Sequence, residues 1–86
     1  MIPYRSVFNR LALEFIADAD DETFAEIEQW VNRIERAPST LGDYTEQDEN
    51  HRELQVVILR RVAIAFWCDD AAREIRVVRI EANRGS

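Results

Sequence analysis

Residues 52–67 read RELQVVILRRVAIAFW, and this stretch decides the fold class. Its first part, residues 52–59, is rich in β-branched side chains and alternates with a period of two, which predicts a strand. Residues 62–67 predict a second strand, and there both faces are apolar, as is typical of a strand in the middle of a sheet. One face of the first strand carries Leu54, Val56 and Ile58.

Further strands are predicted on both sides of this pair. Residues 75–80 alternate again after a polar turn at 69–72, and residues 42–46 precede another polar turn at 47–50. Short alternating segments joined by short polar turns are typical of hairpins. The sequence therefore predicts a C-terminal antiparallel meander of three or four strands.

The hydrophobic rhythm is different before Pro38. Acidic residues at 18–22 are suited to cap a helix that begins near Asp21, and Pro38 is incompatible with its continuation. In between, apolar side chains recur every three or four residues, which predicts an amphipathic helix. These side chains are Phe24, Ile27, Trp30, Val31 and Ile34.

Residues 9–17 have two interpretations. Asn9 suits the cap of a helix, and Leu11, Ala12, Phe15 and Ile16 follow at helical spacing. Leu11, Leu13 and Phe15 also alternate, which favours a strand. Residues 2–8 before them predict a short strand.

We expect an α+β fold in which a short N-terminal strand precedes two helices packed on the C-terminal antiparallel three- to four-stranded meander, with residues 1–86 as a single domain.

Composition and charge exclude several classes of protein. Hydrophobic residues make up 47% of the chain and charged residues 33%, which is typical of a globular domain and not of a disordered one. No stretch predicts a membrane helix or a signal peptide, so we expect a cytoplasmic protein without membrane association. The net charge of −6 disfavours nucleic acid as a ligand, since a polyanion would be repelled.

The charge is unevenly distributed along the chain. Residues 1–50 carry 4 Arg and 12 acidic residues, whereas residues 51–86 carry 7 Arg and 5 acidic residues. The acidic residues at 43–49 lack the spacing of a calcium loop and are read as a solvated hairpin that could also contact a basic partner.

Metal, cofactor and nucleophile signals are weak. Cys68 and His51 are the only residues of their types, and two glycines cannot make a glycine-rich phosphate loop. We expect no cofactor and no metal, and an inert Cys68. Trp30 and Trp67 are expected to pack in the core and not to stack on bases.

Three segments resemble a known family. Residues 52–56, RELQV, are similar to an aromatic-Glu-Leu-Arg-Val strand, and residues 61–66, RVAIAF, to a Tyr-Arg-hydrophobic-Tyr strand. Residues 75–80, followed by Arg84, resemble the last strand and its trailing basic residue. With the order of elements and a helix that ends at Ala37-Pro38, the chain resembles the RelE/ParE toxin superfamily of type II toxin–antitoxin systems, which includes plasmid-stabilization proteins.

The resemblance implies a metal-independent endoribonuclease or a gyrase-binding toxin. Nucleolytic members use basic side chains to stabilise the phosphate and a Tyr, His or acidic group to move the proton. By resemblance, Arg61 and Arg84 match two basic positions, and Arg60 and Arg79 extend the same surface. Gln55 stands where the family usually has Arg or Lys, and the short tail after Arg84 has no Tyr or His.

His51 is a further candidate for proton transfer, because it begins a strand beside acidic residues and a histidine titrates near neutral pH.

Two functional hypotheses follow from the resemblance and the charge of the chain. The first is a toxin that is held by an antitoxin and acts on ribosome-bound mRNA or on gyrase. The second is a catalytically silent interaction module with the same fold that binds a protein partner or forms a homodimer.

Overall fold

A mixed β-sheet with two helices packed against it makes up the part of the chain that the computed structural model describes, residues 2–83. The order of elements is β1 (Arg5–Phe8), α1 (Arg10–Asp18), α2 (Asp21–Arg36), β2 (Tyr44–Gln47), β3 (Glu53–Ile58), β4 (Val62–Asp69) and β5 (Glu74–Ala82). The predicted α+β class and the C-terminal meander are confirmed. Between residues 2 and 83, neither helix has the length and apolar character needed to cross a bilayer.

The sheet has five strands in the order β1-β5-β4-β3-β2. Strands β2 to β5 form an antiparallel meander, and β1 pairs with β5 in parallel, with Arg5 opposite Glu74 and Phe8 opposite Val77. The meander therefore has four strands, and the N-terminal strand extends the same sheet. Strand β4 lies at the centre, as its two apolar faces predicted.

Asn9 decides between the two interpretations of residues 9–17. Its Oδ1 accepts a hydrogen bond from the Ala12 N–H at 2.9 Å, and its Nδ2 donates to the Val78 carbonyl at 2.7 Å. The first bond caps α1, and the second ties the start of the helix to β5. These residues are therefore helical. The N–H of Ala12 is bonded to the cap side chain, whereas in a strand it would donate to the backbone of a neighbouring strand.

Helix α2 begins and ends where its sequence predicts. Asp20 is the N-cap and accepts from the Thr23 N–H at 2.8 Å, and this hydrogen bond lowers the pKa of the Asp20 carboxyl. Acidic residues occupy the first turn and Arg33 and Arg36 the last, which complements the helix dipole. The helix ends at Arg36, two residues before Pro38.

The main core lies between the helices and one face of the sheet, which we call the helix face. Phe66 is 1% exposed, and its ring centroid lies 5.1 Å from that of Trp30 in an edge-to-face arrangement. Trp30 is therefore a core residue, as predicted. The buried apolar side chains of this core are Ala12, Ile27, Trp30, Ile34, Val62, Ile64, Phe66, Ile75, Val77 and Ile80.

Some apolar residues are more exposed than their patterns predicted. Phe24 is 45% exposed, Leu11 71% and Ile58 41%. A helical or alternating pattern tells which side of an element is apolar, but not how far the packed layer extends along it. The exposed apolar side chains on α1 become important for the site.

Candidate functional site

The face of the sheet that is turned away from the helix face, here called the second face, has a small apolar cluster of its own. Leu54, Val56 and Ala65 are buried there, and Trp67 and Val78 pack against them. A β-bulge in β5 contributes to this cluster, because Ala65 pairs with Arg79 while Phe66 pairs with Val77. Val78 is the extra residue, so two consecutive side chains of β5 serve the second face.

Two arginines lie over the indole ring of Trp67. The guanidinium carbon of Arg52 is 3.9 Å from the ring centroid, and that of Arg76 is 5.6 Å away. Both contacts are cation–π interactions, which use the negative face of the ring. Trp67 is half-buried, so it covers the small apolar cluster and holds arginine side chains in place.

Carboxylates neutralise Arg76 on the second face, whereas Arg52 makes no ion pair with the described residues. Arg76 pairs with Glu74 at 2.8 Å and with Asp69 at 3.4 Å, and Arg5 also reaches Glu74, at 3.1 Å. These pairs leave little uncompensated positive charge around Arg76.

Arg79 is neutralised in the same way. It makes a hydrogen-bonded ion pair with Glu46 and lies 3.5 Å from a carboxylate oxygen of Glu81. The hydrogen bond to Glu46 raises the pKa of Arg79 further above its already high ordinary value. The guanidinium therefore stays charged, but its charge is directed at the protein's own carboxylates.

Arg79 lies on a different part of the fold from Arg60 and Arg61, two other basic residues suggested by the sequence. Arg61 lies just before β4, where its backbone N–H donates to Glu26 at 2.8 Å and its guanidinium pairs with Glu22 of α2. Arg60 beside it is exposed and makes no ion pair with the described residues. Arg79, by contrast, is on the second face opposite Ala65.

Two other predicted site residues, Gln55 and His51, lie in β3 and in the turn before it. Gln55 lies on the helix face opposite Phe66, and its side-chain oxygen accepts from the Gly42 N–H at 2.8 Å. His51 is exposed in the turn between β2 and β3, with a left-handed φ of 64°. Arg84 lies outside the described residues. Asn83, the last described residue, donates its backbone N–H to the Arg61 carbonyl at 2.9 Å.

A groove of 680 Å³ between α1 and the β2–β3 hairpin was not foreseen from the sequence. We call it the acidic groove. Its apolar lining is Leu11, Phe15, Leu54, Val78 and Ile80, and its charged lining is Glu14, Asp18, Glu46, Asp48, Glu49, Arg79 and Glu81. The sequence did contain a sign of exposed apolar surface on α1. Leu11 and Leu13 are two residues apart in a helix, so they cannot both lie on the side that buries Ala12, Phe15 and Ile16.

A second concave surface lies at the end of α2. It has a volume of 420 Å³ and an apolar lining that includes Trp30, Ile34 and Phe66, with Arg33 and Arg36 also contributing. Leu41 at this surface is 76% exposed.

Among residues 2–83, no three His, Cys, Asp or Glu side chains are grouped closely enough to hold a metal ion.

Cys68 is predicted to react slowly. Its thiol donates to the Pro38 carbonyl at 3.1 Å, and burial, followed by the charge of Asp70, raises its pKa. Because the thiolate is the reactive form, alkylation by a maleimide at pH 7.5 should be about tenfold slower in the folded protein than in urea. The rate should rise with pH, with a midpoint above that of an ordinary thiol. A midpoint at or below about 8.5, the ordinary thiol value, would contradict this prediction.

Comparison with known proteins supports the fold. No family model and no curated protein sequence matches the chain. Among solved structures, it is similar to a chain of the toxin–antitoxin complex RelBE2 from Mycobacterium tuberculosis, with a TM-score of 0.77 and 14% sequence identity over 95% of this chain and 100% of that one. The chain therefore has the RelE-type toxin fold, which confirms the resemblance at the level of the fold.

Proposed function

We propose that this chain is the toxin-like member of a toxin–antitoxin pair and that it acts by binding protein, not by cleaving RNA. The first part is supported by the similarity to a chain of the RelBE2 toxin–antitoxin complex along nearly the whole sequence. Because one fold can serve several functions, the second part must come from the chemistry of the surface.

The observation that carries the proposal is the separation of the basic residues. Metal-independent cleavage of RNA requires several positive charges and a proton-transfer group around one phosphate. Here Arg61 is held by α2, Arg79 is held by Glu46 on the second face, and His51 is exposed in a turn. No two of these three meet in the described residues, so they do not form a phosphate-binding cluster.

The electric field of the molecule favours the same conclusion. The net charge is −6, and Arg76 and Arg79 on the second face are paired with carboxylates of the same sheet. A phosphate backbone would have to displace these carboxylates and approach an acidic protein, without the counterion release that drives such binding. A protein partner with a basic surface would be attracted by this charge and would not compete for the paired arginines.

The proposal can be tested with the purified chain. We expect it to form a stable complex, by isothermal titration calorimetry, with the antitoxin-like product of an adjacent reading frame. In a cell-free translation reaction, it should leave mRNA intact, as read by primer extension, and RNA binding at low salt should be negligible. A nucleolytic member of the superfamily serves as the positive control.

Two outcomes would overturn parts of this proposal. If mRNA is cleaved, and if Arg61→Ala abolishes the cleavage while Arg33→Ala does not, the chain is a nuclease. Arg33 is a suitable control because it lies in the last turn of α2, near the other concave surface. If no adjacent gene product binds, the toxin–antitoxin assignment fails, whatever the result with RNA.

A further inference from the structure

We propose that the acidic groove binds a basic amphipathic segment of a protein partner, with apolar side chains on the groove floor and arginine or lysine against its carboxylates. The inference rests on the protein-binding function proposed above and names the chemistry of one partner. The groove lies between α1 and the β2–β3 hairpin.

The charge of the groove is strongly one-sided. Six carboxylates and one arginine contribute to its lining. Arg79 is already paired with Glu46 and Glu81, so it cannot neutralise the remaining four. Charge complementarity therefore selects a cationic ligand and rejects nucleic acid.

Some of these carboxylates have structural partners, and others do not. Glu14 pairs with Arg10 at 3.5 Å, and Asp48 accepts the backbone N–H groups of Asn50 and Arg52 at 2.8 Å. Asp18 and Glu49 are exposed and make no hydrogen bond or ion pair with the described residues. These two side chains are available to a ligand.

Asp18 is unfavourable for the helix that carries it. It is the last residue of α1, where the helix dipole is negative, and no basic residue occupies the last turn. It also lies four residues after Glu14, and like charges at this spacing destabilise a helix. Asp18 also lies two residues before Asp20, the N-cap of α2, where a negative charge is favourable. Its effects on the two helices therefore oppose each other, and its exposed carboxylate can be used by a ligand at little cost to the fold.

The apolar lining argues against a simple cation as the ligand. Leu11 is 71% exposed, and Leu54 and Val78 belong to or pack against the apolar cluster of the second face. The carboxylates are spread along the groove and not grouped for metal binding within residues 2–83. An occupant must therefore combine apolar side chains with separated positive charges, as one face of an amphipathic helix does.

The probe for this proposal is a synthetic amphipathic peptide of about 15 residues, with leucine on one face and arginine along both flanks. A control peptide carries glutamate in place of each arginine. By fluorescence anisotropy, the chain should bind the arginine peptide, with affinity that falls as salt rises, and it should not bind the glutamate peptide.

Matched variants locate the binding site. The double variant Asp18→Asn with Glu49→Gln should weaken binding about tenfold, and Leu11→Ser should weaken it by a similar factor, because each removes contacts with the peptide. The control double variant Glu28→Gln with Glu53→Gln removes the same charge from exposed positions outside the groove and should bind normally.

Each alternative result has a defined meaning. Equal binding by the groove and control variants, or equal binding of the two peptides, would overturn the proposal. Self-association of the chain in sedimentation, with no peptide binding, would show that a second copy is the occupant instead. If the antitoxin-like complex forms but the peptide does not bind, only this inference fails. If mRNA is cleaved while the peptide binds, only the proposed function fails.

Discussion

Replacing Phe66 with alanine is expected to lower the free energy of unfolding by about 3–5 kcal/mol. Phe66 is 1% exposed in the central strand, and Trp30 packs edge-to-face against it at 5.1 Å. Alanine would leave a cavity between α2 and the sheet and remove the ring contact, which is worth about 0.5–1.5 kcal/mol in such pairs. Because small domains are stable by only about 5–15 kcal/mol, this loss should remove a large share of the stability and clearly lower the urea midpoint.

Phe24→Ala is the matched control for this prediction. The same atoms are removed, but from a side chain on the same helix as Trp30 that is 45% exposed. A cost below about 1 kcal/mol is expected there, because little cavity is created. Urea denaturation followed by far-ultraviolet circular dichroism measures both variants. Equal midpoint shifts would show that Phe66 is not the centre of the core.

Gly42→Ala is expected to cost about 1–3 kcal/mol, although it adds a single methyl group in a loop. A Cβ at this position would lie 2.5 Å from the Val56 carbonyl oxygen, far inside van der Waals contact. That same oxygen accepts the Asp43 N–H at 2.7 Å, and the Gly42 N–H donates to Gln55. These hydrogen bonds hold the backbone at Gly42 and Val56 in place. The added methyl group should therefore push the start of β2 away from β3 and weaken the bonds.

Hydrogen exchange separates this effect from general destabilisation. In Gly42→Ala, the Asp43 amide should exchange faster, whereas amides at the centre of β4 should change only with global stability. Ser39→Ala is the control, because Ser39 is exposed in the same loop and its side chain makes no hydrogen bond with the described residues. An unchanged urea midpoint and unchanged Asp43 exchange in Gly42→Ala would show that the close approach is absent.

Most of the secondary structure could be predicted from the sequence. The change of period after Pro38 located α2 and the meander, whereas residues 9–17 were compatible with a helix or a strand until the structure showed α1. Boundaries were less accurate, since β2 runs from Tyr44 to Gln47 and not from 42 to 46. The first and last residues of β2 depend on which residues pair with β3, and the strand propensity of individual residues does not specify that pairing.

The candidate site was much less predictable. Counting arginines suggested one basic surface formed by Arg60, Arg61, Arg79 and Arg84, but Arg61 contacts α2 and Arg79 lies on the second face. Strict alternation also missed the bulge at Val78, which changes the face that each later residue of β5 occupies. The acidic charge of residues 1–50 was visible, but its arrangement as a groove was not.

The sequence by itself determined that the segment between Asp21 and Pro38 is helical, that the segments after it are extended and which strand is central, because these properties follow from periodicity within a few neighbouring residues. It left residues 9–17 open between helix and strand. Only the tertiary structure decided which charges meet. Arg79 and its partner Glu46 are 33 residues apart, and Arg61 and Glu22 are 39 apart. Their contacts depend on strand order, register and the placement of helices on the sheet, which together neutralise Arg61 and Arg79 and leave Asp18 and Glu49 of the groove exposed.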